Sequence, residues 1–341
     1  MTTVLCTLYN SLYLDKGLVL YDSLCECAKD FKLYVLCMDD KCYEVLTDLH
    51  QDNHIPIRLT DFEKGDNKLL EAKSNRSFGE YCWTCTSSLI KYIFNEFEHE
   101  ICTYIDADMY FYQDPQILVD EMLATGKSVM MVPHRFTERN RHLAEIVGTY
   151  CVEFNTFKND NAGRDVLNNW HEQCLECCSN LGDGVHWGDQ KYMDEWPVRY
   201  PDDVHVCENI GAGVATWNIE LYKSSETSSI EFYCEENKGS LVFYHFAGIL
   251  YYSRYLATIN IRNGYQNIDY HFVRNLYMPY LLKIENKRKL LQNGYGLQSM
   301  RRPPRMKSLL RKKLFESRLY TFICDKVFFN GLHLPYVLKL K

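Results

Sequence analysis

From Thr2 to Phe111 the chain alternates between two hydrophobic periods, and that alternation limits the folds open to it. TTVLCTLYN, FKLYVLCMDD, HIPIRLTDFE and ICTYI are short strand-like apolar runs, whereas GLVLYDSLCECAKD and EYCWTCTSSLIKYIFNEF space their apolar residues as helices do. Strands that alternate with helices predict an α/β layer structure, a mixed and mostly parallel sheet flanked by helices. Ligands of such sheets sit beyond the carboxyl ends of the strands, where Tyr9, Asp39, Asp40, Asp106 and Asp108 fall. The second half is less regular. KSVMMVPHRF and CVEFNTFKND read as strands and NAGRDVLNNWHEQCLECC as a helix, followed by GVHWGDQKYMDEWP, VHVCENIGAGVATWNI and LVFYHFAGI between polar loops.

The stretch CTYIDADMYFYQDP puts two acids one residue apart directly after a buried strand. At strand spacing both carboxylates project to one side, where their charges repel unless a cation or strong donor lies between them. A solvated strand end with a turn is the plain alternative, since Asp is common where strands give way to turns. An EF-hand is excluded because Ala107, Met109 and Tyr110 supply neither the further oxygens nor the glycine of that loop. A hard cation that also holds a phosphate needs only one or two carboxylates.

At 341 residues the chain can bury a full core. No apolar run reaches the roughly 18 to 20 residues of a membrane span, and MTTVLCTLYN lacks the pattern of a signal peptide, so a cytoplasmic protein is expected. The 15 cysteines are odd in number and many lie in apolar runs, as Cys6, Cys37 and Cys102 do, which predicts reduced, buried thiols. The cluster Cys174, Cys177 and Cys178 lacks the second pair of a zinc site and reads as small residues on a packed helix face.

The net charge of −7 conceals an asymmetry: from Lys283 onward 15 bases face three acids, so the rest of the chain carries about −19. We therefore divide the chain into a body, residues 1–280, and a basic C-terminal appendage, residues 281–341. MRRPPRMKSLLRKKLFESRLYTF interleaves bases with Leu309, Leu310, Leu314, Phe315 and Leu319, a composition suited to the inner, anionic face of a membrane, though a helix packed on the body would look alike. Nucleic acid is not an expected partner, because the body is acidic and has no recognisable binding motif.

Taken together, TLYNSLYLDKGLVLYDSL, the D-A-D after a buried strand, GDQKYMDEWP, WNI after a glycine-rich stretch, and YHFAGI resemble nucleotide-diphospho-sugar glycosyltransferases of the GT-A fold, allied to glycosyltransferase family 8. The similarity covers roughly residues 1 to 255. It implies that Asp106 and Asp108 hold Mn²⁺ or Mg²⁺ against the diphosphate of a nucleotide-diphosphate sugar donor, with His245 completing the metal shell; alone, His245 would read as a core histidine. It places Asp189 and Gln190 beside the donor sugar, Asn155 near it, and Asn209, Trp217 and Asn218 on the acceptor side, where a saccharide or glycolipid would bind.

Tyr9 and Tyr13 are candidates to cover a uracil base or simply to pack their loop, Asp39 or Asp40 to contact base or ribose, and Gly248 to let backbone approach the phosphates. The resemblance implies transfer of a hexose with retention of configuration. The family's lysine after its metal histidine is replaced here by AGILYYSRY, where Arg254 or the folded-back tail is the candidate substitute. Two alternatives stand beside the transferase: a membrane-peripheral protein that kept the fold without turnover, and a D-x-D phosphatase or phosphotransferase.

Overall fold

The computed structural model describes residues 1–179, 186–225, 230–253, 256–258, 268–297 and 337–339. Its centre is a seven-stranded sheet built from β1 (Thr3–Tyr9), β2 (Phe31–Cys37), β3 (His54–Arg58), β4 (Ile101–Ile105), β6 (Val129–Pro133), β7 (Tyr150–Lys158) and β8 (Val204–Val206); β5 (Met109–Phe111) leaves it for a second sheet. The strand order is β3-β2-β1-β4-β7-β6-β8. Every neighbouring pair is parallel except the two made by β7, so the sheet is mixed and mostly parallel, as the alternation of periods predicts.

The parallel half is wound by α1 (Leu14–Cys27) between β1 and β2, α2 (Asp40–Asp48) between β2 and β3, and α3 (Leu59–Phe62), α4 (Asn67–Asn75) and α5 (Phe78–Glu96) before β4. Capping sets where several helices start. Asp39 caps α2, Asp66 caps α4, and Ser77 with Glu80 forms a reciprocal capping box on α5, each satisfying a backbone N–H that the helix leaves free. Helices α6 (Gln116–Ala124), α7 (Leu143–Val147), α8 (Asn161–Glu176) and α9 (Trp196–Arg199) complete the layers.

Both faces of the sheet are covered, which explains why its strands read as nearly unbroken apolar runs. Along β1 and β2, Cys6, Tyr34 and Leu36 enter a core with Leu89, Ile93, Phe157 and Trp170. Leu5, Leu33 and Val35 face the opposite core with Leu18, Leu24 and Phe154. The described cysteines, Cys6 through Cys234, are all free thiols, and Cys174 and Cys178 are core residues.

Beyond β4 the chain builds a smaller sheet in which β13 (Phe243–His245) lies between β5, antiparallel, and β9 (Val214–Ala215), parallel. Strands β10 (Tyr222–Ser224), β11 (Glu231–Cys234) and β12 (Asn237–Ser240) form a separate antiparallel meander between β9 and β13 in the chain. After β13 come β14 (Leu250–Ser253) and β15 (Leu256–Thr258), and the end of the chain, β16 (Val337–Lys339), pairs antiparallel with β15.

The division expected at residue 280 needs correction. Helix α10 runs without a break from Tyr270 to Tyr295, begins at the cap Asp269, and ends at Gly296 in the left-handed region. Its Leu276, Tyr277, Tyr280, Leu281 and Ile284 share a core with Tyr244 and Phe246. The first bases of the supposed appendage lie on the acidic side of α1: Lys283 Nζ is 2.5 Å from Glu26, Lys287 Nζ 2.7 Å from Asp22, and Arg288 Nε 3.8 Å from Asp15. The charge asymmetry is thus partly complementarity within one body. The remainder of the basic tail, with Arg254, lies outside the described residues apart from 337–339. Among the described residues no helix is long and apolar enough to cross a membrane.

Candidate functional site

The D-A-D segment is the seam between the two sheets. Asp106 prolongs the β4 edge, its N–H donating to the Glu153 carbonyl on β7 at 3.2 Å, while the carbonyl of Asp108 accepts from the Phe246 N–H at 2.8 Å beside the smaller sheet. Buried Ala107 fills the turn between them. This brings His245, at the end of β13, against both acids although it is more than 130 residues away in sequence: Nε2 lies 3.1 Å from Asp108 Oδ1 and 3.7 Å from Asp106 Oδ2.

Behind His245 stands a residue that sequence reading missed. Glu153, fully buried on β7, accepts from His245 Nδ1 at 2.6 Å, which orients the ring and presents Nε2 to the D-A-D carboxylates. A carboxylate behind an imidazole is the usual support of a metal-binding histidine. Its sequence signal was a charge inside the strand-like run CVEFNTF, since a buried charge needs a partner. The indole of Trp217 stands edge-on to the imidazole at 5.4 Å between ring centres.

Lys16, also missed, is 6% exposed on the first turn of α1. Its Nζ is 3.6 Å from Asp108 Oδ2 and 3.6 Å from the centre of the Tyr13 ring. Burial lowers the proton affinity of Lys16, and Asp108, Tyr13 and Asp15 together more than restore it.

Electrostatics separate the two aspartates. Burial first, then the charges of Asp108 and Glu153, push the Asp106 carboxyl up to about 6 against the pull of His245. Burial also opposes charge on Asp108, but Lys16 and His245 reverse it and hold that carboxyl well below the usual carboxylate range. Burial disfavours an imidazolium at His245, yet its bonds to Asp108, Cys151 and Glu153 raise it well above the ordinary histidine value. Three carboxylates therefore crowd one imidazole and one ammonium, an excess of negative charge that a divalent cation would relieve.

Two donor sets share His245. On the Nδ1 side Cys151, Glu153 and His245 offer atoms within 4.8 Å of one another. There burial keeps Cys151 a thiol, and Glu153 already receives Nδ1. On the Nε2 side two carboxylates and an imidazole form the mixed oxygen and nitrogen set that suits Mn²⁺, and Mg²⁺ less well. Asp106, Asp108 and His245 fit a divalent cation; the Cys151 side does not.

The other expected site residues fall in different places. Tyr13 reaches the site through Lys16. Tyr9 does not: it is 3% exposed, its hydroxyl lies 3.3 Å from His54 Nε2, and its ring lies where any Cβ on Gly17 would collide with it, so it packs beneath the loop instead of covering a base. Asp39 has Oδ1 on the Cys42 N–H at 2.7 Å and Oδ2 on the Ser11 N–H and hydroxyl at 3.0 and 2.8 Å, tying the loop after β1 to α2.

Asp189 is 5% exposed, and burial raises its carboxyl to about 7, with Asp106 adding to the effect and a bond to Thr86 opposing it. Its backbone carbonyl accepts from the buried indole N–H of Trp170 at 2.8 Å. Gln190 turns away from that carboxyl, its amide donating to the Val147 carbonyl at 2.6 Å. Asn155, fully buried on β7, donates to the Val152 carbonyl and the Met193 sulfur, each at 3.3 Å. Asp189 Oδ2 and Asn155 Oδ1 have no partner among the described residues.

Asn218 donates to the carbonyls of His134 and Gly213 at 2.8 and 2.7 Å, and the Trp217 indole to His134 at 3.0 Å, so both fix the turn behind His245. Asn209 caps its own loop through the Gly211 N–H at 2.9 Å. Gly248 is exposed in the left-handed region, φ +74°, a turn that favours glycine.

Fold and site define a class of α/β protein with a cluster of two acids and an imidazole at the carboxyl end of its central parallel strands. No family model matches the chain. It is 30% identical over 292 residues to the uncharacterized protein YfnD of Bacillus subtilis strain 168, a match covering 85% of this chain and 91% of YfnD. Its identity to the uncharacterized protein YfnF of the same strain is 30% over 298 residues, covering 83% of this chain and 94% of YfnF. The chain belongs to the family of YfnD and YfnF. Among solved structures it is similar to mouse xyloside xylosyltransferase 1, at 13% identity and a TM-score of 0.46 over 72% of this chain and 97% of that one. It is also similar to the galactosyltransferase LgtC, at 12% identity and a TM-score of 0.49 over 72% of this chain and 87% of the other.

Proposed function

We propose that this chain is a metal-dependent glycosyltransferase that moves a hexose from a UDP-sugar to a saccharide or glycolipid acceptor with retention of configuration. The observation that carries this reading is the meeting of Asp106, Asp108 and His245 at the seam of the two sheets, where a ligand of an open α/β sheet belongs. When bound, Mn²⁺ or Mg²⁺ supplies positive charge against the departing nucleoside diphosphate.

The chain's own residues then have distinct tasks. Asp106, Asp108 and His245 would hold the cation, and Glu153 keeps Nε2 of His245 aimed at the two carboxylates. Asp189, beside Asp106, faces the sugar, where a carboxylate supports the positive charge that develops on the ring as the glycosidic bond breaks. The unpartnered oxygens of Asp189 and Asn155 are acceptors that a sugar hydroxyl satisfies. Gln190 holds the Asp189 turn against α7 from outside, a positioning role. Tyr13 and the loop tied down by Asp39 cover the nucleotide, and the Gly248 turn brings backbone N–H groups toward its phosphates.

A thermal-shift screen of nucleotide sugars tests this reading. A UDP-sugar at about 100 times its Kd adds about 2.7 kcal/mol to the native state, and the shift should require Mn²⁺ or Mg²⁺. Slow release of free sugar from that donor should accompany it. Release of inorganic phosphate would favour the phosphatase, and no shift with any nucleotide sugar would favour the protein without turnover.

The basic tail beyond the described helix extends the proposal to the inner, anionic face of a membrane, each base near the surface adding about 1 kcal/mol. Its support is the interleaving of Arg and Lys with Leu and Phe between residues 300 and 322. Ending the chain after Leu297 keeps α10 and its cap, and should abolish sedimentation with phosphatidylserine vesicles; unchanged sedimentation would remove the membrane from the proposal.

A further inference from the structure

Lys16 is held as deep as a core residue, and its surroundings are unusual for an ammonium. Two features fix its depth. Gly17, next in the chain, lets α1 lie directly on the Tyr9 ring, and Asp15, the residue before, is buried 3.8 Å from Arg288 of α10. Lys16 cannot simply swing into solvent. A buried ammonium costs several kcal/mol unless other groups offset it, and Nζ lies against the Asp108 carboxylate and over the face of the Tyr13 ring.

The Asp108 contact poses a problem of charge. Asp106, Asp108 and Glu153 bring three negative charges to the site. A divalent cation held on the Nε2 side adds positive charge to that cluster. The cation then supplies two positive charges, and Lys16 supplies the third. A carboxylate shared with a divalent cation has less negative charge to offer an ammonium 3.6 Å away. The N–H groups of Lys16 are then best satisfied by a new oxyanion arriving beside the cation.

We propose that Lys16 is a second cationic contact for the diphosphate: it rests on Asp108 while the site lacks its ligands and turns to a phosphate oxygen once cation and diphosphate are bound. This rests on the proposed function and deepens it by making Lys16 the source of coupling between the two ligands. Lys16 brings its charge to this cluster from the first turn of α1, where Nζ lies 3.6 Å from Asp108.

The test uses Mn²⁺ and inorganic pyrophosphate, so that neither base nor sugar needs to be known. Manganese affinity of the full-length protein is measured by electron paramagnetic resonance with and without pyrophosphate, for wild type, Lys16→Met, Lys16→Gln and Lys16→Arg. In wild type, pyrophosphate should raise Mn²⁺ affinity by about 10-fold or more, a usual size for coupling between sites. In Lys16→Met the enhancement should shrink to about 2-fold or less, while Mn²⁺ alone binds more tightly because Asp108 has lost its competitor. Lys16→Arg should keep most of the enhancement.

Lys16→Gln retains a hydrogen bond to Asp108 and takes the place of the methionine variant if that one does not fold. A full wild-type enhancement in Lys16→Met or Lys16→Gln overturns the assignment of Lys16 and leaves the proposed function standing. A wild-type protein that binds neither Mn²⁺ nor pyrophosphate overturns both.

Discussion

Replacing Asp108 with asparagine should abolish Mn²⁺ binding and lower metal-dependent sugar transfer by about 10²- to 10³-fold, the range seen when one charge-stabilising group is removed from an active site. Asp108 meets His245 and Lys16 together, and those contacts hold its carboxyl well below the usual range, so it is ionised at any working pH. The amide has the same shape but no charge, and one of its terminal atoms is a donor that points at a cation.

Stability should change little, by about 1 to 2 kcal/mol, because two effects oppose each other. Breaking a buried ion pair by removing one partner can cost about 3 to 5 kcal/mol. Here, however, three carboxylates face one imidazolium and one ammonium, and losing one acid removes the repulsion that adds to burial in lifting Asp106 to about 6. Transfer, Mn²⁺ binding and thermal melting should be measured on the same preparation. An undiminished metal-dependent rate would count decisively against the assignment.

Asp189→Asn should act in the opposite direction on stability. Burial raises the Asp189 carboxyl to about 7 in the folded protein, whereas an unfolded aspartate titrates near 3.9. Between those values the folded state holds a proton that the unfolded state has lost, so wild-type stability falls as pH rises from about 4 to 7 and stays low above. The whole interval corresponds to about 4 kcal/mol. Asparagine never ionises, so the variant should melt higher than wild type at pH 8, with the gap closing toward pH 5. Sugar transfer should be lost over the same range, because the carboxylate beside the sugar is gone. A variant no more stable than wild type at pH 8 would mean that Asp189 is ionised without penalty in the fold.

The sheet was legible because short, nearly unbroken apolar runs alternate with stretches of period 3.6 from Thr3 to Ile105. The D-A-D acids were legible as a carboxylate pair after a buried strand and His245 only through the resemblance carried by YHFAGI, and only folding shows that β5 and β13 pair and thereby close the distance between them. Glu153 and Lys16 were harder to find. Glu153 is a single charge in an apolar run and Lys16 follows Asp15 at a helix start, and the reason each can be buried is its partner, Nδ1 of His245 for one and Asp108 for the other. Tyr9 misled because an aromatic at a strand end is equally suited to a base or to the core; the contact with Gly17 and His54 decides for the core. The boundary at residue 280 misled because a change in charge sign looks like a domain edge, whereas here opposite signs belong to the two helices α1 and α10 that lie against each other.

Because the two acids of D-A-D belong to different sheets, any ion they share works as a rivet through the seam. Asp106 moves with the large sheet, while Asp108 and His245 move with the small one. An ion held there would tie the large sheet to the small one as well as charge the pocket.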